Sequence, residues 1–252
     1  MRYVRSLVFT TYLMASACVF GLVMACCFFL PYRFHFAIGR TWARWLLRVL
    51  KLLCGLDYTV EGRENIPAGN HIAMCNHTST WETVAAFVLL PPQVWVIKHE
   101  LLWVPLVGWG LKLLKPIAID RGSGRRAVNQ VIEQGKARLG DGLWVIIFPE
   151  GTRVVAGQQR KYGVSGALLA TETGKLIVPI SHNAGAFWPR RGLLKKPGTV
   201  RVVIGKPIDP AGKDPRALND EIRAAIEAGV ARSERRDVAM PAGAESGSIR
   251  RA

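Results

Sequence analysis

A histidine followed five residues later by a carboxylate is the first feature of this 252-residue chain that can do chemistry. The segment is Asn76-His77-Thr78-Ser79-Thr80-Trp81-Glu82, at the junction between an apolar run and a helical stretch. From the first helical turn, Glu82 can accept a hydrogen bond from one imidazole nitrogen of His77. That bond would fix the tautomer and make the other nitrogen a better proton acceptor, as a general base requires. The same residues allow a reading without chemistry, in which Ser79-x-x-Glu82 is a capping box and His77 a polar strand-end residue. A second group, Phe148-Pro149-Glu150-Gly151-Thr152-Arg153, follows a very apolar run. Free backbone N–H groups around Gly151, the Thr152 hydroxyl and the Arg153 guanidinium suit a phosphate, and Glu150 can bind a hydroxyl or brace the arginine. A third, Ile119-Asp120-Arg121-Gly122-Ser123-Gly124-Arg125-Arg126, adds guanidiniums, which grip phosphate oxygens in pairs. Each group alone is a common kind of turn.

Short apolar runs at 71–75, 94–98, 116–119, 143–148, 176–180 and 199–204 read as buried strands. Helical stretches fall between them at 81–90, 126–139 and 165–173, with a final surface helix at 215–230. Strands alternating with helices predict an α/β fold: a largely parallel sheet flanked by helices, with ligands at its carboxyl edge. All three chemical groups follow strands, so this sheet would bring them to one side. Residues 233–252 are polar and read as a disordered tail.

The charge has a second story. Lys and Arg number 34 against 18 Asp and Glu, a formal net charge of +16 on a chain that is 50% hydrophobic. Residues 1–56 hold seven basic residues and no acidic one, 57–210 hold 19 against 11, and 211–252 hold eight against seven. Nucleic-acid binders set their charge along polar helices or tails; here it is densest beside the greasiest stretch, which points to an anionic membrane and away from nucleic acid.

Residues 7–30 carry no charge, and as a helix would extend about 36 Å at ~1.5 Å per residue, enough to cross a hydrocarbon core. The heavier basic flank is C-terminal, so the remainder is expected on the cytoplasmic side of the cell membrane. A cleaved signal is the competing reading, through the lipoprotein-like Val23-Met24-Ala25-Cys26. In 41–56, Arg40, Arg44, Arg48 and Lys51 form a cationic stripe opposite Trp42, Trp45, Leu46, Val49, Leu50 and Leu53. This predicts an amphipathic helix in the headgroup plane; a core helix with a solvated face is the alternative, as is a re-entrant hairpin of the two helices. The expected organisation is therefore a membrane anchor and interfacial helix at 1–56, a catalytic domain at 57–210, and a C-terminal helix and tail at 211–252. The five cysteines cluster in or near apolar segments and do not suggest a disulfide scaffold.

Taken jointly and in this order, the three groups resemble the motifs of the membrane glycerophospholipid acyltransferases, over roughly residues 57–207. Asn76, His77, Thr78 and Ser79 match Asn-His-x-Ser, 148–153 match Phe-Pro-Glu-Gly-Thr-Arg, Ile119–Arg121 match the arginine motif, and Val178-Pro179-Ile180 a late apolar block. The resemblance implies transfer of a fatty acyl group from acyl-CoA or acyl-ACP to the sn-2 hydroxyl of 1-acyl-glycerol-3-phosphate. His77 would be the base and Glu82 its orienting partner. Asn76, Arg121, Glu150, Gly151, Thr152 and Arg153 would bind the substrate. No metal or resident cofactor is implied; the expected partners are an anionic membrane, a lysophospholipid, and an acyl thioester on coenzyme A or acyl carrier protein. Two departures stand out. Glu82 occupies a position where the family usually has Asp, and the lysine-rich stretch expected before Gly166 is replaced by Tyr162-Gly163-Val164-Ser165. Other readings are an acyltransferase for another lysolipid such as a lyso-ornithine lipid, a basic lipid-binding protein without chemistry, or a covalent route through Cys75. The loop 190–196, Arg-Arg-Gly-Leu-Leu-Lys-Lys, is expected to touch lipid.

Overall fold

The structure is a computed structural model that describes residues 1–158 and 160–235. Its centre is a seven-stranded sheet of β1 (Leu56–Glu61), β2 (Ile72–Cys75), β3 (Gln93–Lys98), β4 (Ile117–Ile119), β5 (Trp144–Ile147), β6 (Ile177–His182) and β7 (Gly198–Ile204), in the spatial order β1-β7-β6-β2-β5-β3-β4. From β6 to β4 every pairing is parallel, so five strands deliver their carboxyl ends to one edge. β7 runs antiparallel to β6, and β1 pairs parallel with β7. Strands β2, β5 and β6 are buried throughout, as strands covered on both faces must be.

The two faces follow from side-chain alternation. Ile72 and Met74 belong to an apolar cluster with α5 (Arg125–Gly140), α6 (Ser165–Thr173) and α8 (Pro215–Glu234). Ala73 and Cys75 point the other way, into a cluster shared with α1 (Arg2–Cys26), α2 (Tyr32–Cys54) and α3 (Trp81–Leu89). One core thus contains residues on both sides of position 56, from Phe9 and Leu46 to Ile146 and Val202. Two short helices, α4 (Val107–Leu113) and α7 (Ala184–Phe187), complete the fold.

Helix α1 is long and apolar enough to cross a membrane. Its Ser6, Phe9, Leu13, Gly21 and Met24 are nevertheless buried against the rest of the protein. Near its start, Ser6 Oγ accepts the Lys195 N–H at 2.9 Å and the Phe9 ring meets Trp188 edge-on at 5.4 Å. In its middle, Ser16 Oγ accepts from Trp42 Nε1 at 3.1 Å and Phe20 stacks on Trp42. Near its end Gly21 lies on α4, where a Cβ would come within 2.2 Å of the Leu106 carbonyl oxygen.

Several expectations change. The helix expected at 41–56 begins at Tyr32, directly after Pro31, and stops at Cys54 because Gly55 turns left-handed at φ +66°. Its apolar face packs on α3 and β1, so it is a layer of the fold. Arg40 leaves the expected lipid-facing stripe to donate to the Phe87 and Leu90 carbonyls, both at 2.9 Å, closing the end of α3. Trp42 faces α1, whereas Trp45, Arg44 and Arg48 stay exposed. Strand β1 and helix α4 were not expected: β1 sets only Leu56 and Val60 into the core, and α4 carries two glycines, normally poor helix formers. Gly110 is there because Gly21 Cα would lie 3.1 Å from a Cβ. Helix α8 runs four residues beyond position 230, and the expected tail lies outside the described residues from 236 onward.

Candidate active site

Four loops meet at the carboxyl edge. After β2, the chain passes through Asn76–Ser79 into α3. Glu82, in the first turn of α3, turns back beneath this loop, and its Oε1 collects three donors: His77 Nδ1 at 2.8 Å, Thr78 N–H at 3.1 Å and Ser79 N–H at 2.9 Å. Ser79 Oγ accepts the Trp81 N–H at 3.1 Å and not the Glu82 N–H, so only the carboxylate half of the expected capping box forms, together with the His–Glu contact. Burial acts to raise the Glu82 carboxyl, which is only 4% exposed. The His182 and His77 imidazoles and the Ser79 N–H outweigh it and hold the group below the usual carboxylate range. An ionised carboxylate only accepts, so His77 Nδ1 carries the hydrogen and Nε2 presents its lone pair. The ring is fixed flat against Phe148, centroids 4.0 Å apart.

The loop after β5 holds the same histidine from the other side. Glu150 Oε1 accepts the His77 N–H at 3.2 Å, and Val154 N–H donates to the His77 carbonyl at 2.7 Å. Burial, helped by the Glu82 charge and opposed by backbone N–H bonds, lifts the Glu150 carboxyl to about 7, and its Oε2 has no partner among the described residues. The turn closes with Gly151 N–H on the Phe148 carbonyl at 3.0 Å, with Gly151 at φ +67°, a conformation glycine adopts without strain.

The family model for the acyltransferases matches residues 57–183, a span that begins at β1 and closes just after β6. A 1-acyl-sn-glycerol-3-phosphate acyltransferase of Pseudomonas aeruginosa is 42% identical over 220 residues, covering 85% of this chain and 84% of that protein. The chain belongs to the acyltransferase family. A Saccharomyces cerevisiae protein of the same name is 33% identical over 174 residues, 66% of this chain and 56% of its own length. The fold is shared with the crystal structure of the 1-acyl-sn-glycerophosphate acyltransferase PlsC from Thermotoga maritima, at TM-score 0.79 and 24% identity, over 94% of this chain and 98% of that one.

Within this acyltransferase the guanidiniums fall into a row. Arg153 is drawn below its usual range by burial, against the pull of Glu82 and with the push of Arg190; its Nε has no hydrogen-bond partner among the described residues. Arg121, at the end of β4, is likewise lowered by burial, opposed by Glu100, and feels Arg153. Arg190 donates to Thr152 Oγ1 at 3.3 Å. The sequence places this residue in a loop expected to touch lipid; it joins the site because that loop folds back beside 148–153, a contact no local pattern announces. Lys195 of the same loop is 3% exposed and braces α1 instead of meeting lipid. Arg125 and Arg126 open α5, and Arg126 lines a separate cleft with His99, Glu100 and Asp120.

Asn76 has both amide atoms bonded to the His182 backbone, each at 3.0 Å. A cavity of about 250 Å³ opens beside it, walled by Asn76, Thr78, Glu150, Arg160, Tyr162 and His182. On the opposite side an apolar crevice leads from Glu82 and His182 past Trp81 and Ile146 to Leu90. Burial pushes the Cys75 thiol well up, with Glu82 and Glu150 adding to the effect, and its Sγ donates to the Asn76 carbonyl at 3.4 Å. A thiol so held is a poor nucleophile. Among the described residues no group of three or more His, Cys, Asp or Glu side chains is placed to hold a metal ion.

Proposed function

We propose that the chain is a 1-acyl-sn-glycerol-3-phosphate acyltransferase, carrying a fatty acyl group from a thioester of coenzyme A or acyl carrier protein to the sn-2 hydroxyl. The observation that carries the reading is the 2.8 Å bond from His77 Nδ1 to Glu82, which leaves Nε2 as a base at the sheet edge. Nε2 takes the hydroxyl proton as the oxygen attacks the thioester carbonyl. The tetrahedral intermediate collapses, the C–S bond breaks, and the proton passes from Nε2 to the departing thiolate. Phosphatidic acid and a free thiol leave. Glu82 stabilises the imidazolium formed on the way.

Arg121, Arg153 and Arg190 bind the acceptor phosphate, and the Glu150–Thr152 turn aligns the glycerol. Asn76 acts by bracing the loop. Support for the acceptor comes from the two relatives that bear this activity in their names, and from the guanidinium row.

The reaction takes place at a membrane surface. Helix α1 turns Val4, Leu7, Val8, Val19, Leu22 and Val23 outward, and Phe28, Phe29 and Phe34 extend this face. Its inner stripe is tied along its length to α2, α4 and the loop before β7, so we place it in the plane of the membrane beside the catalytic domain. Arg44, Arg48 and Trp45 border this face and fit anionic headgroups, which favours the cytoplasmic leaflet.

The test is acyl transfer from a labelled thioester to a panel of acceptors. Transfer to 1-acyl-glycerol-3-phosphate should far exceed transfer to a lyso-ornithine lipid, and Arg153→Ala should raise KM for the phosphate acceptor about 10–100-fold, the loss of a charged hydrogen bond. Equal use of an acceptor without phosphate would overturn the assignment.

A further inference from the structure

His182, the last residue of β6, lies 105 positions from His77 and outside every motif that the sequence offers. It is 2% exposed, yet its ring is fully engaged. Nδ1 accepts the Ala184 N–H at 3.2 Å, so that nitrogen carries no hydrogen. Nε2 must then hold it, and donates to the Asn76 carbonyl at 2.9 Å. Both partners are backbone groups, which fix this tautomer independently of any side-chain titration.

The accepting carbonyl is half of the peptide unit that joins Asn76 to His77. The other half, the His77 N–H, donates to Glu150 Oε1 at 3.2 Å. One peptide plane is therefore pinned at both ends, by His182 on one side and Glu150 on the other. Rotation of that plane is the motion that would swing the His77 imidazole away from Glu82. The Asn76 amide reinforces the clamp through its two bonds to the His182 backbone. Glu82 Oε2, which has no hydrogen-bond partner among the described residues, lies 3.8 Å from His182 Nε2, beyond hydrogen-bond reach, so the Nε2–H stays committed to the Asn76 carbonyl.

We propose that His182 is a positioning residue for His77, locking the 76–77 peptide as a neutral hydrogen-bond donor to the Asn76 carbonyl. The other groups facing it are His77, Glu82 and the Trp81 ring at 6.1 Å; burial, opposed by the Glu82 charge, keeps its imidazole below the usual range. Because Nε2 is already protonated, His182 does not compete with His77 for the substrate proton. The inference rests on the reading of His77 as the base.

The experiment compares kcat and KM for His182→Ala, His182→Gln and His77→Ala in the full-length membrane-bound chain, with 1-acyl-glycerol-3-phosphate as acceptor. A misplacement of the base by about 1 Å costs on the order of 100-fold. His182→Ala should accordingly lose about 10–100-fold in kcat with KM within about twofold, while His182→Gln, which keeps an N–H donor, should recover most of it. A folded His182→Ala protein with parental kcat, or a loss confined to KM, would overturn the inference, as would a His182→Gln protein as slow as the alanine variant. Should both variants fail to fold, the nitrogen-15 spectrum of the parent at pH 7 decides: Nε2 protonated with Nδ1 bare supports the clamp, and any other state overturns it. Turnover surviving in His77→Ala defeats the base reading itself. A dead His77→Ala beside an active His182→Ala defeats only the clamp.

Discussion

The carboxyl edge of the sheet and the N-terminal helical layer are held in opposite ways. At the edge, directional bonds hold the 76–82 loop: three donors converge on Glu82 Oε1, and His77 is gripped through its ring, its N–H and its carbonyl. In the layer, α1 and α2 meet the domain mainly through apolar contacts, punctuated by a few polar ties such as Lys195 with Ser6 and Thr10. Directional bonds specify one geometry for chemistry. Apolar contact specifies only a face, and leaves the outward face of α1 exposed. Variants can be chosen to press on each.

Among variants that leave His77 in place, the largest effect is expected at Glu82. Glu82→Gln keeps an oxygen for the Thr78 and Ser79 N–H groups but removes the charge that stabilises the His77 imidazolium; kcat should fall about 100-fold or more while the melting temperature stays near that of the parent. Glu82→Asp should keep substantial activity. If Glu82→Gln were as fast as the parent, the carboxylate would be a helix cap only.

At the helical layer the effect is on order, not on rate constants. Lys195→Ala removes a buried ammonium that bonds Thr10 and the Leu193 carbonyl and lies over the Phe9 and Trp188 rings. The expected loss is about 1–3 kcal/mol, read as faster hydrogen exchange in α1 with the amides of β2 and β5 unchanged. Equal protection of α1 in both proteins would contradict the tie.

The smallest effect is a pH dependence. The Glu150 carboxyl lies at about 7 in the folded chain against 4.5 as its ordinary value. A raised acid stabilises the fold below the ordinary value, and this contribution disappears as pH rises through about 7. Thermal melts of Glu150→Gln should therefore gain on the parent between pH 4.5 and 8. A constant difference across that window would mean that Glu150 stays ionised.

The difference between the two regions also governs what could be read in advance. The His77–Glu82 bond was legible because five residues spanning a strand end and a first helical turn leave few geometries open. Most strands were legible from Val- and Ile-rich runs, and β1 was not, since Asp57, Thr59 and Glu61 dilute its two core residues. His182 and Arg190 were illegible because their partners lie 106 and 38 positions away. Two glycines in seven residues weaken the helical pattern of α4; Gly110 becomes intelligible only when α1 is seen packed on it, and Gly108 when the 101–102 backbone is. The disposition of α1 is the deepest gap. A charge-free run of 24 residues fits a spanning helix and an in-plane helix equally well, and its buried stripe depends on contacts far along the chain that no local pattern announces.

The most direct test of the account is single-turnover acyl transfer to 1-acyl-glycerol-3-phosphate by His77→Ala, with acceptor binding measured in parallel. Loss of the base should slow the chemical step about 10²–10⁴-fold while the guanidinium row keeps the acceptor affinity near that of the parent. Near-parental transfer by His77→Ala would contradict the proposed mechanism at its centre.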